Sequence, residues 1–337
     1  MLILTLCLAL LNGCTPKETK TVLSSGTTDS LASAGGKKSG VPTKVKLILN
    51  WYPEAEHGGF YAALVHGYYQ QAGVEIEIVP GAKGVVVGPE LTLGRAQFGV
   101  GNADDVLMAR AQELNLKALL APMQIGPRCI MVRADSGIEK FEQLKNVTLQ
   151  IDPSRPYVPF LKSKNLLDPS VQIVPYNGTV AQLVSGPGFA QQGYVFSEPL
   201  MAEQQGVQVR NLMMSDIGYN PYASLLLATD EYIAANADIV RRVTDASLRG
   251  WKKYLDDPKE TNAYILKQNP DGMTTESLAY GAEKLRVLCI PEGAVAQDFG
   301  KMSDARWKEL HSQLSSLKLL EGKPVDPMSC FTNDFVK

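Results

Sequence analysis

Between residues 45 and 228, short β-rich runs alternate with segments of helical period, which restricts the chain to an α/β architecture. The first block has β-rich runs at 45–49, 74–79, 98–101 and 117–123, with helix-period segments at 59–71, 89–95 and 104–115. Residues 74–79, VEIEIV, alternate strictly and read as a strand. A second block repeats the scheme, with strands at 147–151, 171–174, 193–196 and 207–212 and helices at 156–164, 180–184 and 199–205. From 230 to 317 the pattern is helical, punctuated by Pro258 and Pro270. Strands that alternate with helices are expected to build largely parallel sheets.

The apolar runs 129–132 and 222–228 fall at the seams between the blocks and suit two hinge strands. The expected division is a first lobe of residues 44–131 and 223–337, whose helical tail packs back on it, and a second lobe of residues 132–222. A length of 337 residues supports about two such bodies. Ligand sites in open α/β domains lie beyond the carboxyl ends of the strands, and clefts between domains suit small molecules.

Composition removes several function classes. With 33 Lys+Arg against 35 Asp+Glu, the net charge of -2 gives no basic footprint for nucleic acid. A hydrophobic fraction of 45% is too high for a disordered chain. Five cysteines in this length are not a disulfide scaffold. In an oxidising compartment Cys289 and Cys330 are candidates for a disulfide, which spacing alone does not decide.

Residues 1–14, MLILTLCLALLNGC, form an apolar run of signal-peptide length, too short for a stable bilayer-spanning helix. Its end, Leu11-Asn12-Gly13-Cys14, resembles a bacterial lipobox, in which the cysteine is lipidated and becomes the mature N-terminus. It departs from that pattern in having no Lys or Arg before the run and Asn12 where a smaller residue is usual. Residues 15–43 begin with a Ser-, Thr-, Gly- and Lys-rich stretch without hydrophobic period, a composition expected to make a tether. Signal, anchor and tether together imply a protein of the bacterial cell envelope, held on a membrane while its body faces water. Lipoproteins carry several acyl chains, which makes such anchoring stable.

The segment after the first strand carries the densest chemistry. Residues 50–61, NWYPEAEHGGFY, hold Trp51, Tyr52, Phe60 and Tyr61 together with Glu54, Glu56, His57 and the pair Gly58-Gly59. Flat aromatic faces with a few convergent polar groups suit a planar ligand. A glycine pair at a helix start would let a ligand approach the backbone, where free N–H groups favour anions.

The strings LNWYPEAEHGGFYAALVHGYY, GVEIEIVPG, FGVGNADDVLMARA and GYVFSEP resemble the thiamine-precursor-binding and sulfonate-binding periplasmic proteins of ABC importers. The resemblance spans roughly residues 45–317 and implies a type II periplasmic-binding-protein fold, two α/β lobes whose cleft closes on ligand. By position it implies a ligand site at Trp51, Tyr52, His57, Gly59 and Phe60, at Asn102, Ala103 and Asp104, and at Arg155, Tyr157, Glu198 and Tyr222. Trp51 would stack on a ring. Glu198 would accept hydrogen bonds from an aminopyrimidine, or else cap the helix from Pro199. Arg155 would pair with an anionic group, or else stand in a solvated loop. The implied partners are a small-molecule ligand, an ABC permease with its ATPase, and the membrane, for a body expected to be monomeric.

The same fold serves an enzyme that makes the thiamine pyrimidine, whose family carries a cysteine-rich iron-binding string. Here Cys129, Cys289 and Cys330 lie far apart, with no metal-ligand spacing. His57, His66 and His311 form no HxxEH spacing, and neither GxSxG nor GxxxxGK[ST] occurs. The expectation is therefore a binder with no catalytic residue, metal or cofactor. A thiamine pyrimidine precursor is the first choice of ligand. Riboflavin is an alternative, as is a sulfonate, taurine or nitrate, for which Arg128 and Arg155 are the available cations. A pyrimidine-synthase-like enzyme is the remaining alternative.

Overall fold

The computed structural model describes residues 41–336. The expected lipidation site Cys14 and all but the last residues of the tether lie outside the described residues.

The first block forms a five-stranded sheet from β1 (Thr43–Ile48), β2 (Val74–Val79), β3 (Phe98–Gly101), β4 (Leu116–Leu120) and, from much later in the chain, β10 (Leu225–Thr229). The order is β2-β1-β3-β10-β4. Its helices are α1 (Gly58–Val65), α2 (Tyr68–Gln71), α3 (Val87–Thr92) and α4 (Ala103–Ala111). The expected single helix over 59–71 is broken at Gly67, whose φ of 69° lies in the left-handed region that glycine adopts without strain.

The second block forms a matching sheet from β5 (Arg128–Arg133), β6 (Thr148–Ile151), β7 (Gln172–Pro175), β8 (Phe189–Tyr194) and β9 (Val209–Met213), in the order β7-β6-β8-β5-β9. Helices α5 (Tyr157–Ser163), α6 (Ala181–Ser185) and α7 (Glu198–Glu203) join its strands. The tail is helical: α8 (Asp230–Ala235), α9 (Ala237–Asp256), α10 (Lys259–Gln268), α11 (Thr275–Cys289) and α12 (Asp304–Ser316).

Both sheets are mixed: four strands of each run in one direction, as expected of largely parallel sheets, and one runs against them. β1 pairs parallel with β2 and β3, and β6 with β7 and β8, as βαβ units require. β10 runs antiparallel to β3 and β4, and β5 antiparallel to β8 and β9. The antiparallel member is in each case the strand by which the chain arrives from the other sheet. The two arriving runs therefore end up inside the sheets, and the segments just before them make the crossings. The crossings touch through an antiparallel bridge between Met123 and Ala223.

The first sheet is covered by α1 and α9. Helix α9 buries Val240, Val243, Trp251 and Tyr254, a stripe at helical spacing. Gly59 and Gly250 let the two helices approach. A Cβ on Gly59 would overlap the Trp251 indole, and one on Gly250 would overlap the Gly59 carbonyl. The glycine pair at the start of α1 is thus a packing device between helices and does not open onto a cavity.

The three described cysteines are free and buried. Cys289 belongs to the core under α9 and α11, while Cys330 lies in the core around Trp307. The disulfide considered from sequence is not formed.

Candidate functional site

Three stretches of the first sheet's side meet near the crossings. Glu56 is 1% exposed, and its Oε1 accepts from Ser224 Oγ at 2.6 Å and from Asn50 Nδ2 at 3.4 Å. His57 Nε2 donates to Asn50 Oδ1 at 2.9 Å, which leaves its buried Nδ1 without a partner. Burial holds His57 below its ordinary pKa, although Glu56 works the other way. The ring is therefore neutral at pH 7. The backbone N–H of Ala103 donates to the Tyr222 carbonyl at 2.9 Å, and that of Ser224 to Asn102 Oδ1 at 3.3 Å. Ser224 pays for this position with a φ of 53°, left-handed for a residue with a side chain.

Asn102 is the N-cap of α4, and Asp105 closes its capping box. Asp104 Oδ2 accepts from Tyr219 OH at 2.8 Å. Asp105 reaches the other way, to Arg155 beyond β6, at 3.6 Å. Burial and the adjacent Asp104 push Asp105 up to about 6, against the pull of Arg155.

The second sheet's side is aromatic and cationic. The Arg128 guanidinium sits 4.6 Å from the Tyr194 ring centroid and 4.9 Å from that of Tyr157, within cation–π range of both. Its Nη2 donates to Tyr194 OH at 2.8 Å. Tyr157, 1% exposed, donates through its OH to Gln192 Oε1 at 2.5 Å. Glu198 is the first residue of α7, behind the N-cap Ser197, so the capping role weighed for it is not the one it has. Its carboxylate accepts from Tyr176 OH at 2.7 Å and from the Tyr194 backbone N–H at 2.8 Å. Burial raises its pKa, and these two donors oppose the rise. Burial, and then the carboxylates of Glu56 and Glu198, raise Glu54 well above the usual carboxylate range. Acid groups from both sheets thus act on Glu54 in the same direction as its burial.

Between these two sides lies a small cavity of about 20 Å³, lined among others by Asn102, Asp104, Arg128, Tyr194 and Tyr219. It has room for about one water. A cavity of about 440 Å³ lies elsewhere, between α10 and α11, lined by Leu266, Ala279, Ala282, Glu283 and Arg286 among others. It gathers no comparable convergence of aromatic, amide and acid groups, so its size alone does not make it the better candidate.

The residues expected from sequence separate into two groups. Asn102 and Asp104 line the small cavity, with Ala103 fully buried beneath them. Arg155 and Tyr157 join it through Asp105 and Arg128, and Glu198 through Tyr194. The others are not among the residues that line the small cavity. Trp51 and Tyr52 form an edge-to-face pair at 5.3 Å, with Tyr52 43% exposed. Phe60 is buried edge-on against Trp251, and Gly59 lies under the same indole. His57 is inside the Asn50–Glu56 network. The Tyr222 ring faces away, under the Arg306 guanidinium at 3.8 Å. Tyr194, Tyr219, Gln192 and Ser224 were not picked out from sequence. Tyr194 stands in the string GYVFSEP, where Glu198 alone drew notice. Among the described residues there is no cluster of His, Cys, Asp and Glu that could hold a metal, and no helix long and apolar enough to cross a membrane.

A family model described as NMT1/THI5 like matches residues 54–261. A riboflavin-binding protein, RibY, of Chloroflexus aurantiacus is 25% identical, over 87% of this chain and 86% of its own. A formylaminopyrimidine-binding protein of Halalkalibacterium halodurans is 22% identical, over 86% of this chain and 89% of its own. A 4-amino-5-hydroxymethyl-2-methylpyrimidine phosphate synthase of Legionella pneumophila is 21% identical, over 88% and 94%. Among solved structures, the periplasmic aliphatic sulphonate binding protein SsuA of Escherichia coli superposes with a TM-score of 0.66. It is 16% identical, with 87% of this chain and 92% of that one covered. The fold is that of the periplasmic binding proteins, as the resemblance implied.

Proposed function

This chain belongs to the NMT1/THI5-like family, and from that premise we propose that it is an extracytoplasmic solute-binding protein of an ABC importer. In this reading the ligand is a small heteroaromatic ring, foremost a thiamine pyrimidine precursor. The observation that carries it is the meeting of buried acids and ring-stacking side chains at the strand ends of both sheets. Glu54 and Glu198 supply acceptors for amino groups on a ring, and Trp51 and Tyr194, both half-buried, supply flat faces. A cavity of about 20 Å³ is far below the several hundred that a ring ligand needs. Binding therefore requires the lobes, residues 44–131 with 223–337 and residues 132–222, to part at the two crossings and close again on the ligand. A permease would read the closed shape. Cys14 would carry the lipid anchor, and residues 15–43 the tether of a monomer on the outer face of its membrane.

The binding reading is preferred to the synthase because the riboflavin-binding and formylaminopyrimidine-binding relatives are named as binders. The test is calorimetric titration of the protein with formylaminopyrimidine, riboflavin and an alkanesulfonate, alongside Trp51→Ala. The expected result is a single site for formylaminopyrimidine, lost in Trp51→Ala while its melting temperature stays within a few degrees. Binding of the sulfonate alone would replace the ligand assignment, and unchanged affinity in Trp51→Ala would remove Trp51 from the site. Turnover of pyridoxal phosphate in the presence of iron would restore the enzyme.

A further inference from the structure

The two arginines beside the cleft differ in one respect. Arg155 is neutralised, with Asp105 at 3.6 Å and Asp152 at 3.4 Å. Arg128 is not: among the described residues no carboxylate forms an ion pair with it. Its hydrogen bond goes to the neutral hydroxyl of Tyr194, and its Cζ lies over the rings of Tyr157 and Tyr194. A guanidinium has five N–H donors in a fixed fork. One of them goes to Tyr194, and among the described residues the others form no hydrogen bond. Arg128 is among the residues that line the small cavity.

The neighbouring acids bond to other partners in the chain and not to Arg128, while each carboxylate keeps acceptor sites for a ligand. Asp104 is held by Tyr219, Asp105 by Arg155 and the Asn102 backbone, and Glu198 by Tyr176 and the Tyr194 backbone. Half-buried, positively charged and clamped in place, Arg128 is pre-organised for an acceptor that the chain itself does not provide.

Resting on the binding reading above, we infer that Arg128 is a specificity-determining residue that reads an acceptor oxygen, a carbonyl or an oxyanion, on the ligand. The ligand class sharpens accordingly. A ring with amino donors alone would satisfy the acids and leave the Arg128 fork unpaired in a closed site. A ring that also carries a carbonyl would satisfy both ends. Leaving a buried charged donor unpaired weakens binding, which gives the site discrimination as well as affinity.

The test uses the full chain, one pyrimidine with a formyl carbonyl and one without it, titrated at a pH where the free amine is uncharged, and riboflavin as a ring with its own carbonyls. The pyrimidines are formylaminopyrimidine and the corresponding amine without its formyl group. Arg128→Met is expected to weaken formylaminopyrimidine and riboflavin by tenfold or more and to change the free amine by less than threefold. Equal weakening of all three would mean that Arg128 only props the two tyrosines, and no weakening would mean that it does not face the ligand. Either result overturns the inference. If Arg128→Met does not fold, Arg128→Lys serves, since it keeps the charge and loses the fork. The carbonyl preference is then expected to shrink, and an undiminished preference overturns the inference. If the wild-type protein binds no ring, the function proposed above has failed, and methanesulfonate and taurine decide Arg128 separately. Sulfonate binding lost in the arginine variant sustains its role. Binding retained there, or no binding of any probe, overturns it.

Discussion

The two sheets repeat one topology with different chemistry at their strand ends. In each, three parallel strands are followed by an arriving antiparallel strand and a fifth strand outside it. The first sheet presents carboxylates and amides, with Glu54, Glu56, Asn102 and Asp104 all less than a tenth exposed. The second presents Arg128, Arg155, Tyr157 and Tyr194. Twinned scaffolds of different electrostatic character can present donors and acceptors together to one ligand between them. Their support differs as well. The first sheet rests on the long helix α9, seated by glycines on α1, whereas the second is covered by helices of at most seven residues.

That asymmetry of support predicts the largest effect. Trp251→Ala removes a fully buried indole between α9 and α1, and should cost about 3–5 kcal/mol by denaturant unfolding. A loss under about 1 kcal/mol would show that the first sheet does not depend on this helix pair.

Ser224 tests how tightly the returning crossing is tied to the acid network. Ser224→Ala loses the hydrogen bond to Glu56 and keeps the left-handed backbone, at a cost of about 2 kcal/mol. Ser224→Gly loses the same bond but relieves the backbone, and should be the more stable of the two by about 1 kcal/mol. Equal melting temperatures for the two variants would show that the backbone position costs nothing.

On the second side, Tyr157→Phe keeps the ring beside Arg128 and leaves Gln192 without its hydroxyl partner. The expected cost is about 1 kcal/mol. A larger cost, comparable to that of Trp251→Ala, would mean that the second sheet is held by its polar contacts and the first by its packing.

The smallest effect is in pH dependence, where Asp105 and Arg155 join the two sides. The folded-state pKa of Asp105 is raised from 3.8 to about 6, so the folded protein binds more protons than the unfolded chain between those values. Its contribution to stability therefore falls as pH rises from about 4 to about 6, and is constant above that. Asp105 is partly exposed to solvent, which keeps the slope shallow. Unfolding titrations of Asp105→Asn should lack this slope, and an identical slope in the variant would assign it to other acids such as Glu54.

Much of the fold was legible in sequence because strand and helix periods are local. The strict alternation at 74–79 became β2, and the helical periods of 237–255 and 275–288 became α9 and α11. The pairing direction of β5 and β10 was not legible, since direction depends on where the chain has come from and not on the run itself. The site divided in the same way. Asn102 and Asp104, implied by the resemblance, stand at the end of β3 and line the small cavity. Gly59 and Phe60 were expected at a ligand, yet their partner is Trp251, almost two hundred residues away in sequence.

By itself the sequence determined the α/β alternation, the two-block organisation, the helical tail and the aromatic and acidic character of the segment after β1. These follow from residue order over a few turns or strands. Only the tertiary structure decided that the glycine pair packs helices, that Tyr222 turns away under Arg306, that Arg155 is neutralised and that Arg128 is not. Whether a charge is paired depends on distances between residues far apart in the chain, and only the folded backbone sets those distances.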